Sequence, residues 1–161
     1  YLGAKCEFCI STGSGWDAIP EMCRRPIVYV NFVPFGYVHT YRSECVSLPK
    51  HHVVRKEGRK LTLREIFSCG IGFSLHADDY ESKGIQLTEN TPDEIRDVAI
   101  EMAERRIGTW QVREDDEALQ RRFWEIFRTD AVETHCGRPL HGEIRARMGA
   151  AFLRNNRDWL Q

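Results

Sequence analysis

Phe8-Cys9-Ile10-Ser11-Thr12-Gly13-Ser14-Gly15-Trp16-Asp17 is the stretch that decides the fold. Residues 6–12 are rich in strand formers, and they run straight into Gly13-Ser14-Gly15, which forces a turn. Beyond the turn, Trp16, Ile19, Met22 and Cys23 recur at helical spacing, predicting a short helix over 16–25. Pro20 is compatible with a helix starting near Asp17, because proline is tolerated in a first turn. After Pro26 comes Ile27-Val28-Tyr29-Val30, short, continuous and largely β-branched. That is the pattern of a strand buried on both faces of a parallel sheet. Strand, glycine turn, helix and strand make a βαβ unit, so the chain reads as α/β.

The same turn is where chemistry is expected. In an open α/β sheet, ligands bind beyond the carboxyl ends of the strands. Gly13 and Gly15 let a ligand approach the backbone closely, and a helix start presents unpaired N–H groups with a favourable dipole for an anion. Ser11, Thr12 and Ser14 add hydroxyls. A diphosphate suits these groups; a tight strand-to-helix turn with a serine cap is the plainer alternative. No Gly-Lys-Ser/Thr follows, so it is not a Walker loop, and the third glycine of a dinucleotide fingerprint is missing. Gly13-Ser14-Gly15 also lacks the spacing of a hydrolase nucleophile elbow, which leaves an esterase using Ser14 a weak third reading.

Residues 31–60 read as a long loop, with Asn31, Pro34, Gly36 and Pro49 interrupting any pattern. Within it, Tyr37, His39, Tyr41, Arg42 and Lys50 are candidates for phosphate pairing or, for His39, proton transfer. Thr62-Leu63-Arg64-Glu65 predicts a capping box and a helix ending at Gly70. Residues 84–89 suit a short strand. Thr91-Pro92-Asp93-Glu94 starts a helix whose inner face carries Ile95, Val98, Ala99, Met102 and Ile107. A charged helix is expected over 113–128, with Leu119, Phe123, Ile126 and Phe127 inward. A last helix is expected over 142–155, with Ile144, Met148, Phe152 and Leu153 inward.

Composition bounds the function. The 161 residues suit one domain, and 42 % hydrophobic with 29 % charged residues fits a globular chain. A net charge of −1 lacks the basic excess of a nucleic-acid binder. No stretch approaches the length of a membrane span, and the first residues lack the charged and apolar regions of a signal peptide. The six cysteines read as reduced thiols. Cys6 and Cys9, three apart in a strand, point to opposite faces, as do the adjacent His51 and His52, so neither pair predicts a metal site.

Ser14-Gly15 in a turn after a strand, followed by a short helix and Arg25-Pro26-Ile27-Val28 ending in Asn31, resembles the donor-site βαβ of GT-B glycosyltransferases. The whole chain resembles a group of bacterial glycosyltransferases linked to surface-polysaccharide synthesis, some of which carry tetratricopeptide repeats upstream. The matching phrases include Tyr1 to Cys6, Pro26 to Asn31, Leu48-Pro49-Lys50, Leu61 to Ile66, Glu89 to Ile95 and Phe152 to Asn156. The resemblance implies a Rossmann-like parallel sheet flanked by helices, the C-terminal, donor-binding half of a GT-B enzyme over residues 1–161, incomplete at its N-terminal side. Its partners would be a nucleotide-sugar donor, a glycan or other acceptor and the N-terminal domain of the same chain. No metal or other cofactor is implied, nor any nucleic acid or transmembrane segment. The location would be cytoplasmic, at most peripheral at the inner membrane.

On that resemblance Thr12, Gly13, Ser14, Gly15, Trp16 and Asn31 form the donor site. Ser14 and Gly15 hold the diphosphate, Thr12 and Gly13 shape the pocket, and Trp16 stacks on a base or sugar. Glu21 reaches ribose hydroxyls. For Trp16 the competing role is core packing; for Glu21, solvated surface; for Asn31, a turn. The competing function is a non-catalytic nucleotide- or phosphate-binding module.

Overall fold

The computed structural model describes residues 1–128 and 143–161. A short helix α1 (Leu2–Lys5) leads into strand β1 (Cys9–Ser11), the Gly13–Gly15 turn, a 3-10 turn (Gly15–Asp17) and helix α2 (Ala18–Met22). The chain then enters β2 (Ile27–Phe32), which pairs parallel with β1 in the register Cys9 to Ile27 and Ser11 to Tyr29. β3 (Cys45–Pro49) lies parallel on the other side of β2, with Cys45 opposite Ile27. Near-continuous apolar sequence in β2 and β3 matches their burial on both faces, the condition of an inner parallel strand.

Lys50 alone separates β3 from β4 (His51–Val54), so the chain passes from one sheet directly into another. β4 is the centre of a three-stranded antiparallel sheet with β5 (Arg59–Lys60) and β6 (Ile85–Thr88), in the order β5-β4-β6. Helices α3 (Leu63–Ser68) and α4 (Ala77–Ser82) connect these strands, and Leu61, Ile66, Ile71, Tyr80 and Ile85 form a small core beside them. Thr62 caps α3 with the box read from sequence: Glu65 N–H donates to Thr62 Oγ1 at 3.3 Å, and Thr62 N–H donates to Glu65 Oε2 at 2.8 Å. Thr91 does the same for α5 (Pro92–Ile107), which stops at Gly108 in the left-handed conformation.

α6 (Asp116–Ile126) precedes β7 (Arg147–Met148) and α7 (Ala150–Asn155) in chain order. β7 pairs parallel with β3 and completes a four-stranded parallel sheet, β1-β2-β3-β7, flanked by helices. Buried polar side chains pin this return: Gln120 donates to the Met148 carbonyl at 2.6 Å and accepts from its N–H at 3.0 Å. Glu101 accepts the Ala150 N–H at 2.7 Å, supplying one of the partners that the first turn of α7 needs. The main core packs Phe35, Phe67, Phe123 and Phe127 against the sheet, with Phe35 edge-on to Phe123 at 5.7 Å. The architecture is mixed α/β, compatible with a Rossmann-like fold. Among the described residues no helix is long and apolar enough to cross a membrane.

Four sequence expectations need correction. Residues 31–60 are not a loop; they contain β3, β4 and β5, because pairing on β2 and burial outweigh the turn-forming residues. The final helix begins at Ala150, and 147–148 is a strand; the fourfold spacing of Ile144, Met148 and Phe152 arises from a loop, a strand and a helix that each turn one residue inward. The beginning of that expected helix, at Gly142, lies outside the described residues. α6 starts at Asp116 rather than 113, where the Arg113 N–H donates to the Asp116 carboxylate. Finally, the apolar stripe of 16–25 does not face the core: Trp16, Ile19 and Met22 are exposed, as is Ile107 at the end of α5.

Candidate functional site

The carboxyl ends of β1 and β2 open on a cavity of about 310 Å³ lined by Gly13, Ser14, Gly15, Asp17, Glu21, Tyr29 and His39 among others. Its lip is the glycine turn. Gly13 has φ +82°, and a Cβ there would sit 2.8 Å from the Phe32 ring, so both conformation and space demand glycine. Gly15 is different: a Cβ would meet nothing within 4 Å, which makes it the open side of the turn.

Ser11, at the end of β1, ties the turn together. Its hydroxyl accepts the Gly13 N–H at 3.3 Å and donates to the buried carboxylate of Asp17. Asp17 is therefore a brace inside the turn rather than a free surface charge. Ser14 occupies the cap position of the 3-10 turn, but its side chain makes no capping bond. The Asp17 N–H returns to the Ser14 carbonyl at 2.9 Å. Ahead of it, the N–H groups of Ser14, Gly15 and Trp16 are the donors of a helix start, unpaired among the described residues.

The back wall is a network of titratable groups. Glu21 Oε1 accepts from Tyr41 at 3.0 Å and lies 3.3 Å from the Arg42 guanidinium and 3.8 Å from His39 Nδ1. Oε2 takes no part in these contacts. Tyr29 Oη meets the same Nδ1 at 3.3 Å, with the two rings edge-on at 5.1 Å. His39 stacks in turn on Tyr41 at 5.6 Å. Burial, followed by Cys45 and then the negative charge of Glu21 and Asp17, pushes the Tyr29 phenol well up, so it keeps its proton and serves as a hydrogen-bond donor. Burial and the bond to Glu21 raise Tyr41 as well. Arg42 also donates to the Arg25 carbonyl at 3.1 Å, which anchors the loop after β2 to the end of α2.

No family model, curated protein or solved structure matches the chain. What the cavity can hold is therefore decided by its own groups. It offers backbone N–H donors at the lip and one unshared carboxylate oxygen. A phenol and an imidazole complete it. Asp17 and Glu21 both carry carboxylates toward the site: Glu21 is paired with the Arg42 guanidinium, and Asp17 is bonded to the neutral Ser11 hydroxyl and buried beneath the turn.

The sequence-predicted residues divide accordingly. Gly13, Ser14 and Gly15 line the cavity, whereas Thr12, Trp16 and Asn31 do not. Thr12 is exposed on the turn, and Trp16 is half exposed, so it is not core. Asn31 is engaged elsewhere. It holds φ +53°, and its Oδ1 accepts the Asn90 N–H at 2.6 Å while its own N–H donates to Asn90 Oδ1 at 2.7 Å. Asn90 also donates to the Pro49 carbonyl at 2.8 Å, so one buried side chain joins the carboxyl ends of β2 and β3. Glu21 and His39, named from sequence, do meet at the cavity. Tyr29 was legible only as core: its burial is right, and its hydroxyl reaches the cavity because it lies opposite Ser11, the last residue of β1. Among the described residues Ser14 makes no hydrogen bond to an imidazole, and His39 turns its Nδ1 to Tyr29 and Glu21, so no nucleophile–base pair of an esterase stands at the lip. Lys50 lies in a separate cleft. Among the described residues no group of three or more metal-ligating side chains converges.

Proposed function

We propose that this chain is the donor-binding domain of a glycosyltransferase, of GT-B type, that uses a nucleotide sugar. The observation that carries the reading is the Gly13–Gly15 lip: unpaired backbone donors at the carboxyl end of a parallel strand, opening on a cavity with a carboxylate. In this reading the diphosphate rests on the N–H groups of Ser14, Gly15 and Trp16. Neutral donors and a partial helix charge hold it without a metal, the arrangement that stabilises a departing phosphate. Glu21 Oε2 accepts from the ribose hydroxyls, and Arg42 holds that carboxylate in place. The exposed face of Trp16 stands beside the lip for a base or sugar. The acceptor and the upstream half of the enzyme would close the cleft from outside, on the cytoplasmic side where nucleotide sugars are available.

Saturation-transfer NMR against a panel of nucleotide sugars tests this. The expected result is binding of one nucleotide class, abolished in Gly15→Trp, whose side chain would fill the open space beside the turn. Equal binding by the wild type and Gly15→Trp refutes the proposal.

A further inference from the structure

A second cleft, of about 500 Å³, lies where β3 passes into β4 and shares no lining residue with the first cavity. Its floor is aromatic. Phe152 stacks on His51 at 5.7 Å and meets Trp159 edge-on at 5.3 Å. Its rim is polar: Lys50, Lys60, Asn155 and Asn156. The charges are unequally spent. Arg59, also at the rim, is held in a fork by Glu65 at 2.8 and 3.0 Å. His51 is bonded to Glu94 at 3.0 Å. Lys60 is bonded only to the neutral amide of Asn156, at 3.3 Å, and Lys50 stands 3.7 Å from an exposed Glu89. Lys50 thus shares its charge with Glu89, Lys60 has no carboxylate bonded to it among the described residues, and Asp158 is the one carboxylate in the lining. His52, on the opposite face of β4, turns its ring to Tyr80 at 5.9 Å and donates from Nδ1 to the Lys50 carbonyl at 3.0 Å, which fixes the backbone at the cleft's edge.

A partly exposed indole, that of Trp159, suits the apolar face of a pyranose. Amides suit its hydroxyls, and paired ammonium groups suit an anionic substituent. We infer that this cleft is a binding site for an anionic sugar, a pyranose that carries a phosphate or a carboxylate. The inference stands on residues apart from the glycine turn and does not depend on the proposed donor site. Lys50 and Lys60 hold the anion, Asn155 and Asn156 bridge ring hydroxyls, and the ring lies against the partly exposed Trp159, which the buried Phe152 backs. Lys60 is exposed, so its replacement leaves the core untouched.

The test is isothermal titration of the whole chain with glucose 1-phosphate, glucuronate, glucose and inorganic phosphate, on wild type, Lys60→Gln, Lys50→Gln and Gly15→Trp. The expected result is binding of glucose 1-phosphate, glucuronate or both, with glucose and inorganic phosphate at least tenfold weaker. Either lysine variant should weaken the bound sugar by about tenfold, the effect of losing one charge-assisted contact. Gly15→Trp should change nothing here, which separates this site from the donor cavity. The relative affinities of the phosphate and the carboxylate identify the substituent. No binding of either anionic sugar, or binding indifferent to both lysine variants, overturns the inference.

Discussion

Asn90→Ala should cost this protein roughly 2–6 kcal/mol of stability, although Asn90 sits in a short loop before α5. The change removes two hydrogen bonds, from the Asn31 N–H at 2.7 Å and to the Pro49 carbonyl at 2.8 Å. The side chain is buried, so both partners lose their bond without gaining water. A stranded buried donor or acceptor costs about 1–3 kcal/mol, and two are stranded. In thermal unfolding the loss corresponds to a fall of roughly 4–24 °C in Tm for a chain of this size. Urea unfolding followed by circular dichroism reads the free energy directly. The midpoint should drop while the slope stays constant, since the surface exposed on unfolding is unchanged. Two companions sharpen the result. Asn31→Ala and Asn31→Gly both lose the Oδ1 bond to the Asn90 N–H, but only alanine must also hold φ +53°. Alanine should therefore be worse by about 1 kcal/mol. A loss under about 1 kcal/mol for Asn90→Ala, below the cost of a single stranded group, would refute the clasp as the link between β2 and β3.

Other perturbations follow from the same geometry. Gly13→Ala should destabilise by about 2 kcal/mol, from its positive φ and the crowded Phe32 ring, while Gly15→Ala stays within about 0.5 kcal/mol; equal effects would contradict the asymmetry of the turn. Burial lowers His52 to about 4, so the folded protein resists a proton that the unfolded chain accepts near 6.5. That contribution is complete above pH 6.5 and is lost as pH falls to about 4, a swing of about 3 kcal/mol that His52→Asn should flatten in urea titrations across this range. Glu94 extends the acid loss further. Burial raises its pKa, but the bonds from His51 and the Thr91 N–H outweigh this and hold it at about 2, so its contribution disappears as pH falls from 4.5 towards 2. Burial also pushes Cys45 up to about 11 and raises Cys9, whereas Cys23 is exposed. Ellman's reagent should modify Cys23 rapidly in the native protein and reach Cys9 and Cys45 only on unfolding; prompt modification of Cys45 would contradict its burial.

Much of the frame was legible from residues alone. Ile27 to Val30 announced a doubly buried strand, Gly13 a forced turn, and Thr62 and Thr91 their helix caps, because each signal is local. The failures share a cause: they depend on partners distant in sequence. Cys45 to Pro49 looked irregular because of Pro49, yet its place beside β2 makes it an inner strand. Trp16, Ile19 and Met22 repeat like a buried face, but the short α2 turns Pro20 inward instead. At the site, Glu21 and His39 could be named singly. Their convergence on Tyr29 could not, since it requires the β2 register and the path of the loop behind it. Asn31 was read as a ligand contact from its place at a strand end. The structure gives that place a mechanical use, because a second asparagine, 59 residues on, returns both of its hydrogen bonds.

The central claim is that the Gly13–Gly15 lip seats the diphosphate of a nucleotide sugar. Amide chemical-shift mapping of the isotope-labelled chain, titrated with the nucleotide sugars one at a time, tests it most directly. One nucleotide class should move the N–H resonances of Ser14, Gly15 and Trp16 together with that of Glu21, and Gly15→Trp should silence the response. Resonances at the lip that stay still with every nucleotide sugar, or shifts confined to Lys60 and Asn156, would contradict it.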